Sequence, residues 1–107
     1  MGWATRWGSQ DYFHGHPALT GEMEEALVAS GASLVSIDSL NIDATQGGAR
    51  PVHSALLAAQ IPIVEHLCNL EQLPLTGSRF FAVPVKVQGM GRSPCAPSRS
   101  FHERRAL

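Results

Sequence analysis

The sequence predicts an α/β fold, because segments with helical character alternate with short apolar segments typical of buried strands. The helical segments are residues 20–31 and 52–59, and the apolar segments are residues 32–37 and 61–65. A further β-prone segment follows at residues 80–87. The alternation of helix and strand along the chain therefore indicates a domain of the α/β class.

The first predicted helix has a recognisable start and end. Thr20 is a suitable N-cap, because its hydroxyl can accept a hydrogen bond from an N–H group of the first turn. Glu22, Glu24 and Glu25 follow in the first turns, where negative charge complements the helix dipole. Gly31 is the expected stop, since glycine readily adopts the left-handed conformation that ends many helices.

The remaining elements are predicted from proline positions and from alternation of side chains. Pro51 is well placed at the start of the second helix, where its missing N–H costs nothing. Pro84 places the strand at residues 80–87 at a sheet edge or at a bulge. Residues 1–17 and 41–50 have no clean period and are predicted to be irregular loops.

Composition restricts the classes of function. The chain has 107 residues, 8 basic and 9 acidic side chains and 44% hydrophobic residues, which bounds it to one domain at most. Near-neutral charge gives no electrostatic basis for binding nucleic acid or an anionic membrane. No apolar run approaches the ~20 residues that span a bilayer, no secretory signal opens the chain, and two cysteines are too few for a disulfide framework. We therefore expect a cytoplasmic protein without nucleic-acid or membrane partners.

A histidine and a glutamate are expected to meet at one end of the second helix–strand unit. From His53 to Ala59 the helix rises roughly 9 Å, and the extended segment from Ile61 to Glu65 returns about 13 Å. An imidazole and a carboxylate brought together in this way can form half of a metal site. The alternative is that Glu65 is a solvated strand end and His53 a helix-start residue.

Four sequence blocks resemble the cyclase family of metal-dependent hydrolases, which includes bacterial kynurenine formamidases and isatin hydrolases. They read G-W-A-T-R-W-G with Y-F-H-G-H-P, S-L-V-S-I-D-S-L-N-I-D, the stretch from His53 to Pro74, and R-F-F-A-V-P-V-K-V-Q-G-M-G. The resemblance implies that residues 1–91 are the C-terminal part of a swivelling β/β/α domain. Residues 92–107 do not match the family's closing strand and are predicted to be a divergent, disordered tail.

The resemblance also implies an activity. His53 and Glu65 occupy the positions of two metal ligands, and the implied cofactor is a divalent zinc or manganese ion. The implied reaction is hydrolysis of an aryl formamide such as N-formylkynurenine, and family members form dimers or larger assemblies. The family's main metal motif, His-x-Gly-Thr-His-x-Asp, is absent. We therefore expect a chain that starts inside the domain and is inactive alone; the alternative is a non-catalytic remnant or interaction module that needs a partner chain.

Other polar and aromatic residues allow two interpretations each. Trp3 and Trp7 could form an aromatic wall for an aryl substrate, or they could fill the core. His16 could line a substrate pocket, although hydrogen bonding within its loop is favoured. Asp38 and Asp43 lie at the carboxyl end of a predicted strand, where the sites of α/β domains often lie, although capping of the loop is favoured for both. His66 follows Glu65 and should point to the opposite face of the strand, which makes it a poor ligand for the same metal.

Overall fold

A computed structural model describes residues 2–84, 86, 88–89 and, as strand backbone, 95–101. It contains both helices and strands in a small mixed α/β fold, which confirms the predicted fold class at that level. The chain forms two compact units, Met1–Leu70 and Glu71–Leu107. Among the described residues, no helix combines the length and apolar character that crossing a bilayer requires.

The first unit contains a parallel β–α–β arrangement preceded by a helix. Its elements are α1 (Gly21–Ala29), β1 (Val35–Ser36), α2 (Pro51–Ala58) and β2 (Ile63–Val64). The two strands pair in parallel, with Val35 opposite Ile63. Because parallel neighbours need a crossover connection, α2 lies between them in the chain.

The predicted helices are confirmed, and their local signals act as expected. The Thr20 hydroxyl accepts a hydrogen bond from the backbone N–H of Met23 at 3.4 Å. Gly31 adopts a φ of +70° directly after α1, and Pro51 occupies the first turn of α2. The strands are shorter than predicted, because only two residues of each apolar segment pair with a neighbouring strand.

The core of this unit lies between the helices and the two strands. Its buried members are all aliphatic side chains: Val35, Ile37, Ile42, Val52, Leu56 and Ile61. Leu19, Leu27, Ala32 and Ile63 pack against them. The chain before α1, predicted as an irregular loop, contains two short 3₁₀ helices, Trp3–Arg6 and Gln10–Phe13.

The second unit contains an antiparallel pair of strands. Strand β3 (Ser78–Pro84) pairs with β4 (Cys95–Phe101), and the register places Ser78 opposite Phe101. Phe81 and Val83 of β3 are exposed by 44% and 62%. A third 3₁₀ helix, Leu70–Gln72, lies where the two units join in the sequence.

The predicted boundary between residues 91 and 92 lies within the second unit, Glu71–Leu107. Strand β4 belongs to the segment that the sequence analysis predicted as a disordered tail. Backbone pairing with β3 provides hydrogen-bond partners for this segment. The polar composition of the segment did not predict this pairing. The rest of that segment, together with Val85 and Val87 of the predicted strand, lies outside the described residues.

Candidate functional site

His53 and Glu65 meet at one end of the β–α–β arrangement. His53 lies in the first turn of α2, and Glu65 directly follows β2. The distance from His53 Nε2 to Glu65 Oε1 is 3.4 Å, and the two side chains are exposed by 15% and 14%. The proximity expected from the sequence is therefore confirmed, while the metal role of the pair stays a prediction.

Asp43 holds His53 in place. Its Oδ1 accepts the backbone N–H of Val52 at 2.9 Å, and its Oδ2 accepts the backbone N–H of His53 at 3.0 Å. The same Oδ2 lies 2.7 Å from His53 Nδ1. Asp43 thus accepts two backbone N–H groups of the first turn of α2 and is also the partner of the candidate ligand's ring.

The charge of Asp43 fixes the tautomer of His53. Burial by itself raises the pKa of Asp43, but the hydrogen bonds from the His53 backbone, the His53 ring and the Val52 backbone outweigh it and lower the pKa. An ionised carboxylate only accepts hydrogen bonds, so His53 Nδ1 carries the hydrogen. In a neutral ring, Nε2 then presents its lone pair toward Glu65 Oε1.

The loop that follows β1 positions both acidic residues. The backbone N–H of Ile42 donates to Glu65 Oε1 at 2.8 Å. The side-chain oxygen of Asn41 accepts the backbone N–H of Asp43 at 2.9 Å, and the Ser39 hydroxyl donates to the Asn41 carbonyl at 3.2 Å. Ser39, Asn41 and Asp43 are buried, so these bonds are protected from water.

The donor atoms suit a metal ion in spacing but not in number. Two ligands bound at ~2.1 Å in tetrahedral geometry are about 3.4 Å apart, which is the separation of His53 Nε2 and Glu65 Oε1. Asp43 contacts the far side of the ring, as do the carboxylates that orient metal-binding histidines. In the described part of the chain, no group of three or more histidine, cysteine, aspartate or glutamate residues is arranged to hold a metal. The arrangement therefore provides two of the donor atoms that a metal site would need.

The three residues predicted to contact substrate occupy different surroundings. Trp7 is 68% exposed and lines a cavity of about 230 Å³. The Trp3 indole N–H donates to the Tyr12 carbonyl at 3.0 Å, and the Arg6 guanidinium lies 4.3 Å from its ring centre. His16 Nδ1 lies 3.2 Å from the Pro17 carbonyl, and neither His16 nor Trp3 lines that cavity.

A second polar cluster surrounds Tyr12, a residue that the sequence analysis did not single out. Its hydroxyl lies 2.8 Å from His66 Nδ1, so the side chain of His66 contacts this cluster. Burial raises the pKa of Tyr12, and the negative charges of Asp38 and Glu65 raise it further. Asp38 Oδ2 accepts the backbone N–H of Trp3 at 2.6 Å, which ties the chain before α1 to the end of β1.

Comparison of the chain with protein-family models, with curated proteins and with solved structures finds no match. The geometry of the site therefore carries the information about its chemistry. That geometry joins an oriented imidazole and an anchored carboxylate. The contact between Asp43 and the His53 ring had no signal in the sequence beyond an aspartate placed shortly before a helix.

Proposed function

We propose that the protein is a metal-dependent hydrolase with a domain of the cyclase type, acting on aryl formamides such as N-formylkynurenine. In this proposal His53 and Glu65 are two ligands of a divalent zinc or manganese ion. The observation that carries it is the facing pair of donor atoms, 3.4 Å apart, on an imidazole oriented by Asp43. We also propose that the protein is cytoplasmic and forms a dimer or a larger assembly, as predicted from the sequence.

The pair of side chains needs a positive charge between its donor atoms. Because Asp43 accepts the Nδ1 hydrogen, a neutral His53 ring directs a lone pair at the anionic Glu65 oxygen. Two electron-rich atoms at this distance repel each other unless a proton or a cation lies between them. A divalent ion between them would be attracted to both His53 Nε2 and Glu65 Oε1. Protonation of the ring would instead give a simple ion pair.

Asp43 and Ile42 then have defined roles in holding the two proposed ligands. Asp43 holds the ring orientation, which fixes the direction of Nε2. The Ile42 backbone N–H holds one carboxylate oxygen of Glu65. A divalent ion bound here supplies Lewis-acid activation for amide hydrolysis. Since catalytic zinc sites use three protein ligands, the remaining ligands would come from a partner chain or from residues outside this pair.

Metal binding is the direct test of the proposal. We expect the purified chain to bind Zn²⁺ weakly, and we expect Glu65→Gln to weaken the binding by roughly tenfold or more, since even partners of ligands contribute 10–100-fold. Glutamine keeps an oxygen for the Ile42 N–H but loses the charge. Isothermal titration calorimetry with ZnCl₂ measures the dissociation constant.

A matched substitution distinguishes the site from general charge effects. Glu22→Gln removes the same charge from an exposed position on α1, and its zinc affinity should equal that of the unmodified chain. Equal affinities for the unmodified chain and for Glu65→Gln would overturn the proposed ligand pair. Such a result would assign the zinc to other histidines, and the contact of His53 with Glu65 would then be an ion pair.

Hydrolysis by this chain alone is expected to be very slow. With N-formylkynurenine and added zinc or manganese, turnover should lie at least roughly a thousandfold below the ~10 s⁻¹ typical of enzymes, because two protein ligands hold the ion weakly. Release of kynurenine is followed by its absorbance, with metal in buffer as the blank. Turnover of ordinary size would contradict the two-ligand description of the site.

A second candidate function is a non-catalytic interaction module. The observation that favours it is strand β3, whose Phe81 and Val83 side chains are exposed in the second unit. Exposed apolar side chains on a strand invite pairing with another chain. Zinc binding that is independent of Glu65 would favour this candidate over the hydrolase, whereas self-association in sedimentation experiments is expected of both.

A further inference from the structure

A cavity of about 230 Å³ lies in the first unit and is built from residues other than the proposed metal ligands. Its lining consists of Ala4, Trp7, Tyr12, His66, Leu67 and Cys68. Three of these six side chains carry aromatic rings. The volume exceeds the ~150 Å³ that accommodates benzene and lies below the ~300 Å³ at which drug-sized pockets begin. The cavity therefore fits a single substituted ring.

The three rings form a corner. Trp7 stands at 83° to Tyr12 with ring centres 5.0 Å apart, and at 75° to His66 with centres 6.2 Å apart. Tyr12 and His66 are inclined by only 30° to each other. Trp7 is nevertheless 68% exposed, so most of its surface is free to contact a ligand. Tyr12 is only 1% exposed and lies behind the other two rings, so a planar ligand would contact Trp7 and His66. Aromatic rings prefer offset or edge-to-face contacts, and these two rings allow both.

His66 gives the cavity a directed polar group. The Tyr12 hydroxyl lies 2.8 Å from His66 Nδ1 and 3.5 Å from the Asp38 carbonyl. We assign its hydrogen to the nearer acceptor, Nδ1. In the neutral ring, Nε2 then carries the remaining hydrogen and is a donor. Because His66 is exposed, this donor can reach a ligand.

The backbone holds His66 in a conformation that histidine does not favour. Its φ is +59°, in the left-handed region that residues with a Cβ rarely adopt. The His66 N–H donates to the Ser39 carbonyl and the Leu67 N–H to the Ile37 carbonyl, both at 3.1 Å. These bonds fix the segment, and the ring is presented from a position where glycine would be less strained.

We propose that this cavity binds a small neutral aromatic compound with a carbonyl group, whose ring contacts the exposed Trp7 ring and whose oxygen accepts the His66 Nε2 hydrogen. Neutrality is preferred because the negative charges of Asp38 and Glu65 act on the Tyr12 hydroxyl. An anionic ligand would be repelled by the same charges. The inference does not depend on the proposed hydrolase function, because none of its residues is a proposed metal ligand.

The test uses three soluble probes of similar size with the full chain in a metal-free buffer containing EDTA. Benzamide is neutral and aromatic, benzoate is its anionic counterpart, and cyclohexanecarboxamide lacks the flat ring. Chemical shifts of the Trp7 indole N–H, identified with the Trp7→Phe variant, report binding in ¹H–¹⁵N NMR titrations. We expect benzamide to bind with a dissociation constant of about 1 mM, as suits so few atoms, and benzoate to bind roughly threefold or more weakly.

Variants separate the role of His66 from that of the fold. His66→Gly should keep the native spectrum, because glycine accepts the left-handed backbone. The variant should bind benzamide about fivefold or more weakly, because one hydrogen bond and one ring contact are lost. His14→Gly makes the same change at an exposed position outside the cavity and should bind benzamide normally. Equal shifts with cyclohexanecarboxamide, or unchanged affinity in His66→Gly, would overturn the proposal. Since EDTA excludes metal, either outcome leaves the zinc experiment unaffected.

Discussion

Replacing Asp43 with alanine is expected to lower the free energy of unfolding by about 3 kcal/mol. The substitution leaves the buried N–H group of Val52 and the partly buried N–H group of His53 without their acceptor and frees the His53 ring. Loss of a helix cap costs ~1 kcal/mol, and a buried donor without a partner costs ~1–3 kcal/mol. Urea unfolding followed by circular dichroism measures the change.

The control for this experiment is Asp11→Ala, an exposed aspartate in the second 3₁₀ helix, which should change stability by less than about 0.5 kcal/mol. Asp43→Asn should fall between the two, because the amide oxygen can still accept a backbone N–H but its charge is lost. Equal stabilities for Asp43→Ala and the unmodified chain would show that water replaces the carboxylate at no cost.

The same residue gives a pH dependence with a definite sign. Its pKa is lowered in the folded state from an ordinary value of 3.8, so its stabilisation is complete above that value and is lost as the pH falls toward the lowered pKa. Urea midpoints should therefore drop on acidification below about pH 4, and the drop should be smaller in Asp43→Asn. A drop of the same size in both proteins would assign acid unfolding to other carboxylates.

Leu56→Ala is expected to destabilise the first unit by about 3 kcal/mol. Leu56 is fully buried in the second half of α2 and belongs to the aliphatic core. Truncation of a buried leucine removes favourable burial and leaves a cavity, which costs ~2–5 kcal/mol. For a small domain of ordinary stability, 5–15 kcal/mol, this is a large share of the total.

Its neighbour provides the matched control. Leu57 lies on the same helix and is 58% exposed. Leu57→Ala should leave the unfolding midpoint nearly unchanged, since alanine is also a good helix former. Thermal unfolding of both variants under identical conditions tests the difference. A loss of similar size in both would contradict the packing direction of α2 described above.

Much of the first unit could be predicted from local sequence signals. Thr20 and Gly31 fix the ends of α1, and Pro51 fixes the start of α2, because capping and the restricted φ of proline act within a few residues. The meeting of His53 and Glu65 also followed from the sequence. A helix and the strand after it run in opposite directions, and known rises per residue return the chain to its starting level.

The strands were less predictable, because strand length depends on the neighbour. An apolar segment extends as a strand only as far as another segment pairs with it, and here β1 and β2 pair over two residues each. In the second unit, β4 forms within a polar segment because β3 lies opposite, a pairing whose partners are between 11 and 23 residues apart in sequence. Composition alone carries no information about such a partner.

By itself the sequence determined the class of fold, both ends of α1, the start of α2 and the proximity of His53 and Glu65. Only the tertiary structure showed that Asp43 orients the His53 ring and that Tyr12 holds His66, partners that are 10 and 54 residues apart. Helix signals act between neighbours along the chain and can be read from it. A hydrogen bond between distant side chains depends on how loops close around the core, and that closure is decided by the packing of the whole unit.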